Sequence, residues 1–366
     1  MDNTASRKKL VFVLPRLYPG GAERVLITLM NNLPREQYDI SFVSLSGEGT
    51  IKHWIDSDIP IFSLNKKNVS SSLVALYKKL KELKPDTVIT TMILTNAGLI
   101  MLKPLFPKVR FIIRESSLPK ALINEYGRKG RVSRYVYKYL YPRADLVISP
   151  AKIITDEFRD YVKINVSNHK VLHNPVNERR LHSTISDFES EPERSRIVNY
   201  VCVGRLGYEK GYDRLIEALV GFRPDDDCGW KLHIIGKGAE TKRLGDLIRR
   251  HNLKGHIHLK GYQNTPWPDI ASADCLLLPS RWEGMPNVVL EALACGTKVI
   301  GHVDAGGITE IADLAEKDNV QVAKDMTEFV SMMKAVKPSI PSLPIQSLLP
   351  REFALKTVMN NFKEML

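Results

Sequence analysis

The chain reads as an α/β protein built from two similar halves, each a parallel sheet covered by helices. Three observations predict this. Short apolar runs alternate with amphipathic stretches from residue 10 to residue 149. The alternation breaks at a polar segment, 174–196, and restarts at residue 198. A length of 366 residues suits about two ordinary domains. Strands buried on both faces of a parallel sheet are continuous apolar runs rather than alternating ones, which is the pattern seen.

In chain order, LVFVLP (10–15) reads as a buried strand and AERVLITLMNNL (22–33) as a helix. YDISFVSL (38–45) is a strand, and SSLVALYKKLKELK (71–84) a helix with leucines near i, i+3 and i+7. DTVITT (86–91), VRFIIR (109–114) and ADLVIS (144–149) are further strands. NPVNERRLHSTISDFESEPERSR (174–196) is polar and aperiodic, so residues 176–196 are expected to link residues 1–175 to a second domain, 197–345. There VNYVCVG (198–204), WKLHIIG (230–236), HIHLKG (256–261), DCLLLPS (274–280) and KVIGH (298–302) read as strands. Helices are expected from Tyr212, near 239–251 and from about Pro286. A closing segment, 346–366, is expected to carry a helix that packs back on the first domain. Two such sheets predict a cleft at the carboxyl ends of their strands, where α/β proteins bind ligands.

Composition narrows the function less. Fifty-three basic against 41 acidic residues leave a net charge of +12, which favours polyanionic partners: nucleic acid, anionic membrane or phosphorylated substrate. No helix-turn-helix, zinc-ligand or RNP-like signature supports nucleic acid. Cys202, Cys228, Cys275 and Cys295 are scattered, with no C-x-x-C pair, and fit reduced thiols in a cytosolic protein. The N-terminal apolar run is too short for a signal peptide, and no stretch approaches a membrane span, so any membrane role is expected at the surface. His53, His169 and His173 read as structural or surface residues, since no partner places them in a site.

Four stretches carry candidate chemistry. YPGGAER (18–24) joins the first strand to the first helix; Gly20 and Gly21 let backbone approach a ligand, and the helix start behind them favours phosphate. Without further support it is a tight turn, and it is no dinucleotide fingerprint, which counts against a dehydrogenase. GRLGYEKG (204–211) repeats the arrangement and adds Arg205 and Lys210, two cations suited to a diphosphate, or else ordinary loop charges. IIGKGAE (235–241) is a weaker glycine turn, placed to touch a ribose or base. In LLPSRWEGMPNVVLEALACG (277–296), Pro286 suits a helix start, and the amides near Asn287 and Val288 then face outward toward an anion. Glu283 lies in the preceding loop and Glu291 about one turn into the helix, where a carboxylate can accept ribose hydroxyls. Acids also complement a helix dipole, but that accounts for one of the two and not for the glycine and loop placement.

Together, GGAER (20–24), HNPV (173–176), GRLGYEKGYDRLIEAL (204–219) and EGMPNVVLEALACG (283–296) resemble the retaining glycosyltransferases of family 4, which have the GT-B fold of two Rossmann-like lobes. The resemblance spans nearly the whole chain in order. It implies a catalytic Glu283 at the donor sugar, with Gly284 and Met285 beside it. It also implies Glu291 on the ribose, and Arg205, Lys210, Asn287 and Val288 on the diphosphate. Gly20 and Gly21 would approach the donor phosphates or the acceptor from the other lobe. Many members carry a histidine after the fifth strand of the first lobe; this chain reads IIRESS (112–117), placing Arg114 and Glu115 on the expected acceptor side. A nucleotide-sugar, with UDP the commonest carrier, is implied as co-substrate, and no metal or other cofactor is expected, as no D-x-D motif stands at the end of a predicted strand.

The acceptor expectation rests on two basic segments. KALINEYGRKGRVSRYVYKYLYPR (120–142 with Arg143 at its end) interleaves cations with five tyrosines, and NKKNVSSSLVALYKKLKELK (65–84) has a lysine-rich face. Both suit an anionic lipid surface, and equally a solvated helix face. The reading favours a lipid-diphosphate-linked glycan acceptor at the inner face of the cytoplasmic membrane. A sugar-nucleotide 2-epimerase is the competing enzyme; it would convert donor without acceptor. A nucleic-acid binder is the non-enzymatic alternative, and it would show steep salt dependence.

Overall fold

The computed structural model describes residues 7–125, 127–185, 197–225, 228–339 and 344–366. The chain divides into two compact units: Met1–Pro175 with Lys356–Leu366, and Val176–Leu355.

The first unit holds seven strands: β1 (Lys8–Leu14), β2 (Tyr38–Ser44), β3 (Ile61–Ser63), β4 (Thr87–Thr91), β5 (Arg110–Arg114), β6 (Leu146–Ser149) and β7 (His169–Val171). They form one parallel sheet ordered β3-β2-β1-β4-β5-β6-β7. Helices cover both faces, so Phe12, Val13, Val88, Phe111 and Ile112 are fully buried. The closing helix, Leu355–Met365, ends against this sheet: Arg110 Nη1 donates to the carbonyls of Met365 at 2.7 Å and Leu366 at 3.0 Å, and Lys8 Nζ also donates to Leu366. Cations there complement the orphan carbonyls of a helix end.

The second unit repeats the scheme with β8 (Ile197–Val203), β9 (Gly229–Ile235), β10 (Ile257–Gly261), β11 (Cys275–Leu278), β12 (Lys298–His302) and β13 (Val320–Ala323). These are ordered β10-β9-β8-β11-β12-β13. Numbered within the unit this is 3-2-1-4-5-6, the doubly wound order whose direction reverses between its first and fourth strands. Its core gathers Tyr200, Leu215, Leu232, Leu277 and Phe329.

Three expectations need correction. Residues 178–185 are not linker: Glu178–Ile185 is a helix of the second unit, with Leu181 and Ile185 buried one turn apart. Asn177 starts it, its side chain accepting from the Arg180 amide at 3.2 Å. The rest of the expected linker, 186–196, lies outside the described residues. The segment closing the chain is divided as well. Leu348 donates its amide to Leu293 at 2.8 Å, and residues up to Leu355 stay with the second unit. Third, of the tyrosines in 120–142, Tyr137 and Tyr141 point into the core, while Tyr135 and Tyr139 are exposed; the placement of Tyr126 lies outside the described residues.

Candidate active site

The loops after β8 and β11 leave adjacent strands at the point where strand order reverses, where an open α/β sheet forms its ligand crevice. The first runs Gly204–Gly211 and carries Arg205 and Lys210; the second runs from Pro279 to Pro286 and carries Glu283. Gly211 shows why the first loop is glycine-rich. Its φ is +65°, and a Cβ there would lie 2.0 Å from the Pro279 carbonyl, so only glycine lets the loops approach this closely.

Lys210 and Glu283 meet as an ion pair through Nζ and Oε1, both side chains largely shielded from water. The Ser280 hydroxyl donates to the same Glu283 oxygen at 3.0 Å. Arg205 is 74% exposed and pairs with Glu209 at 3.1 Å, an exposed contact of small energetic value and easily exchanged. Each cation expected to take a diphosphate thus rests on a carboxylate of the same loop pair.

Glu291 lies in the helix Asn287–Ala294, which Pro286 caps. The indole N–H of the buried Trp267 donates to Glu291 Oε2 at 3.1 Å, orienting the carboxylate. Asn287 and Val288 open the helix, where amides have no carbonyl four residues behind to bond. Gly284 accepts the Gly307 amide at 3.1 Å, and Met285 is buried.

Several residues that sequence reasoning did not single out hold these loops. Arg281 donates to Asp213 Oδ1 at 2.7 Å and Oδ2 at 3.0 Å, and to the Tyr208 carbonyl at 2.7 Å. Burial pushes the Asp213 carboxyl up, but the hydrogen bond and charge of Arg281, the Arg214 amide and the Arg243 charge together outweigh burial and hold the group below its usual range. Arg214 donates to the carbonyls of Pro279 at 2.8 Å and Ser280 at 2.7 Å. The sequence signal available was adjacency alone: Arg281 sits two residues before Glu283, and Asp213 and Arg214 follow Lys210 closely.

In the first unit, Gly20 precedes the helix Gly21–Asn31 as expected, but the buried Glu23 folds back over it, 2.3 Å from where a Gly20 Cβ would sit. The chain's own carboxylate therefore occupies the positive end of that helix. Met92, after β4, has φ +75°, a strained value beside this unit's own reversal of strand order. Arg114 and Glu115 do not line an open surface: they are 2% and 1% exposed. Arg114 Nη2 donates to Asn174 at 2.5 Å, while Glu115 accepts from Tyr141 at 2.5 Å and Tyr137 at 3.2 Å. Burial pushes Arg114 down to about 10 and raises the Glu115 carboxyl. Both act on the structure through their neighbours. His169 is half-buried, its ring edge-on to Phe158, and the loss of water around it lowers it to about 4.

Among the described residues no three His, Cys, Asp or Glu side chains are grouped to hold a metal, and no helix is long and apolar enough to cross a membrane. All four cysteines are free thiols.

The family model for Glycosyltransferase Family 4 matches residues 19–180, and that for Glycosyl transferases group 1 matches residues 158–337. The chain is a glycosyltransferase, with a family 4 region followed by a group 1 region. It is 26% identical, over 90% of its own length and 93% of the relative's, to a Campylobacter jejuni N-acetylgalactosamine-N,N'-diacetylbacillosaminyl-diphospho-undecaprenol 4-alpha-N-acetylgalactosaminyltransferase. It is 29% identical over 46% of its length to 45% of the Escherichia coli lipopolysaccharide 1,6-galactosyltransferase. Among solved structures, Anabaena HepE in complex with UDP and glucose superposes with a TM-score of 0.75 at 18% identity, over 98% of this chain and 99% of that one. Lipopolysaccharide outer core galactosyltransferase WaaB does so at 0.69 and 20%, over 97% and 98%. These two likenesses establish the GT-B fold of this glycosyltransferase.

Proposed function

We propose that this glycosyltransferase moves a hexose or N-acetylhexosamine from a UDP-sugar to a hydroxyl of a lipid-diphosphate-linked glycan, with retention at the anomeric carbon. The observation that carries the reading is the meeting of Lys210 and Glu283 where the second sheet reverses its strand order. Lys210 and the exposed Arg205 receive the diphosphate, aided by the helix start at Asn287. Glu291, steadied by Trp267, takes the ribose hydroxyls, and Glu283 holds the donor sugar with Gly284 and Met285. Positive charge set where the leaving diphosphate develops its own replaces a metal ion in this scheme. The bond from the sugar's anomeric carbon to the diphosphate breaks, its electron pair leaving with the phosphate. The acceptor oxygen bonds that carbon from the same face, and its proton passes to the departing phosphate oxygen.

The acceptor class is supported by relatives named for undecaprenol-diphosphate and lipopolysaccharide substrates. It is supported too by the exposed face of residues 128–143, where Arg128, Lys129, Arg131, Arg134 and Lys138 surround the exposed Tyr135 and Tyr139. Cations around exposed aromatic rings suit an anionic headgroup layer at the cytoplasmic face of a membrane. The 65–84 segment contributes less, since Lys79 is engaged with Glu82 and with the Phe62 ring. A UDP-sugar panel with a lipid-diphosphate saccharide acceptor tests the proposal by UDP release and by NMR of the product's anomeric proton. Acceptor-dependent release with retention is expected. Release of an epimerised nucleotide-sugar without acceptor contradicts it.

A further inference from the structure

The two loops that bring Lys210 and Glu283 together also carry an aromatic surface. Tyr208, two residues before Lys210, is 51% exposed, and Trp282, next to Glu283, is half-buried. Their rings stand 5.9 Å apart at 60°, making an open corner. Arg281 backs the Tyr208 ring at 4.0 Å from its centroid. Arg281 is itself fixed by two hydrogen bonds to Asp213, whose side chain is 8% exposed. A large ring is thus held against water on a base of buried charge. The core of the unit takes Leu206 and Tyr212 from this stretch of chain, and neither Tyr208 nor Trp282.

We propose that Tyr208 and Trp282 form a carbohydrate subsite receiving the apolar C–H face of a pyranose ring of the acceptor glycan. This rests on the glycosyltransferase reading above. The geometry selects the ligand class. A flat nucleobase needs a slot or a single broad face, whereas two rings at 60° form a corner that fits a puckered ring, with hydroxyls left to water and to the polar rim. An anionic group gains nothing, because the Arg281 guanidinium is committed to Asp213 and to the Tyr208 carbonyl. The donor sugar and its phosphates already have partners in Glu283, Gly284, Met285 and Lys210, which leaves the acceptor as the sugar without one. The fixed Arg281–Asp213 base means that little side-chain entropy remains to be lost on binding.

Saturation-transfer NMR on the full-length protein with saturating UDP tests this, using methyl N-acetyl-α-D-galactosaminide and methyl α-D-glucoside as probes. The wild type should transfer saturation to protons on one face of at least one probe. Tyr208→Ala and Trp282→Leu should each cut that transfer roughly three- to tenfold, with UDP affinity and melting temperature unchanged. Equal transfer in the variants, or none in a wild type that binds UDP, overturns the subsite alone. A wild type that fails to bind UDP overturns the reading beneath it.

Discussion

The strand ends of the two units use one scaffold in opposite ways. In the second unit, the residues at the reversal of strand order are cations and acids on loops, paired with each other: Arg205, out in the solvent, with Glu209, and Lys210, largely shielded, with Glu283. In the first unit, the charged residues that end β5 are sealed inside: Arg114 bonds Asn174, and Glu115 is capped by two tyrosine hydroxyls. Loop charges can exchange partners for a ligand at little cost, whereas a buried network can only be kept or broken. On the proposed function, ligand chemistry falls to one set and structural restraint to the other, although both read from sequence as charges at a strand end.

The sharpest break in that contrast should come from Glu283→Gln, which keeps the shape and removes the charge. The expected result is a fall in kcat of about 10²–10³ with donor affinity changed far less, measured by steady-state UDP release. An unchanged rate would remove Glu283 from the mechanism. Next in size, Glu115→Ala should leave two tyrosine hydroxyls without an acceptor and lower stability by about 2–4 kcal/mol in urea titration. Because Glu115 serves structure, activity per folded molecule should hold.

His169, half-buried on the edge strand β7, gives a pH test of the first unit. Its folded value of about 4 lies below the ordinary 6.5, so the unfolded chain binds more protons between those values. Its contribution is present above pH 6.5 and is lost as pH falls from about 6.5 toward 4, on the order of 3 kcal/mol. His169→Phe should flatten that acid limb in denaturant melts; an unaltered limb would show that another group carries it. The smallest effect belongs to Trp267→Phe, which deletes one N–H to a carboxylate. Donor KM should rise roughly tenfold with kcat preserved, and a kcat loss instead would mean that Glu291 is not the group it positions.

What was legible in the sequence follows from the same physics. Unbroken apolar runs such as the LVFVL of LVFVLP and the CLLL of DCLLLPS announced strands because both faces of a parallel sheet are covered. The edge strands Ile61–Ser63, His169–Val171 and Val320–Ala323 have only three or four residues, too few to show a pattern. The helix Glu178–Ile185 was missed because its buried side is only Leu181 and Ile185 amid polar residues. Arg205, Lys210 and Glu283 were visible from glycine turns and strand ends. Their pairing was not, since Lys210 and Glu283 stand 73 residues apart and meet only once β8 lies beside β11. The inward turn of Tyr137 and Tyr141 depended on Glu115, an acid whose burial no local pattern reveals.

The central claim is that the loops after β8 and β11 are the nucleotide-sugar site. Calorimetric titration of UDP into the wild type and into Arg205→Ala/Lys210→Ala tests it most directly. A Kd weakened by about 100-fold is expected in the double variant, with an unchanged melting temperature. UDP binding of equal strength in both proteins would contradict it.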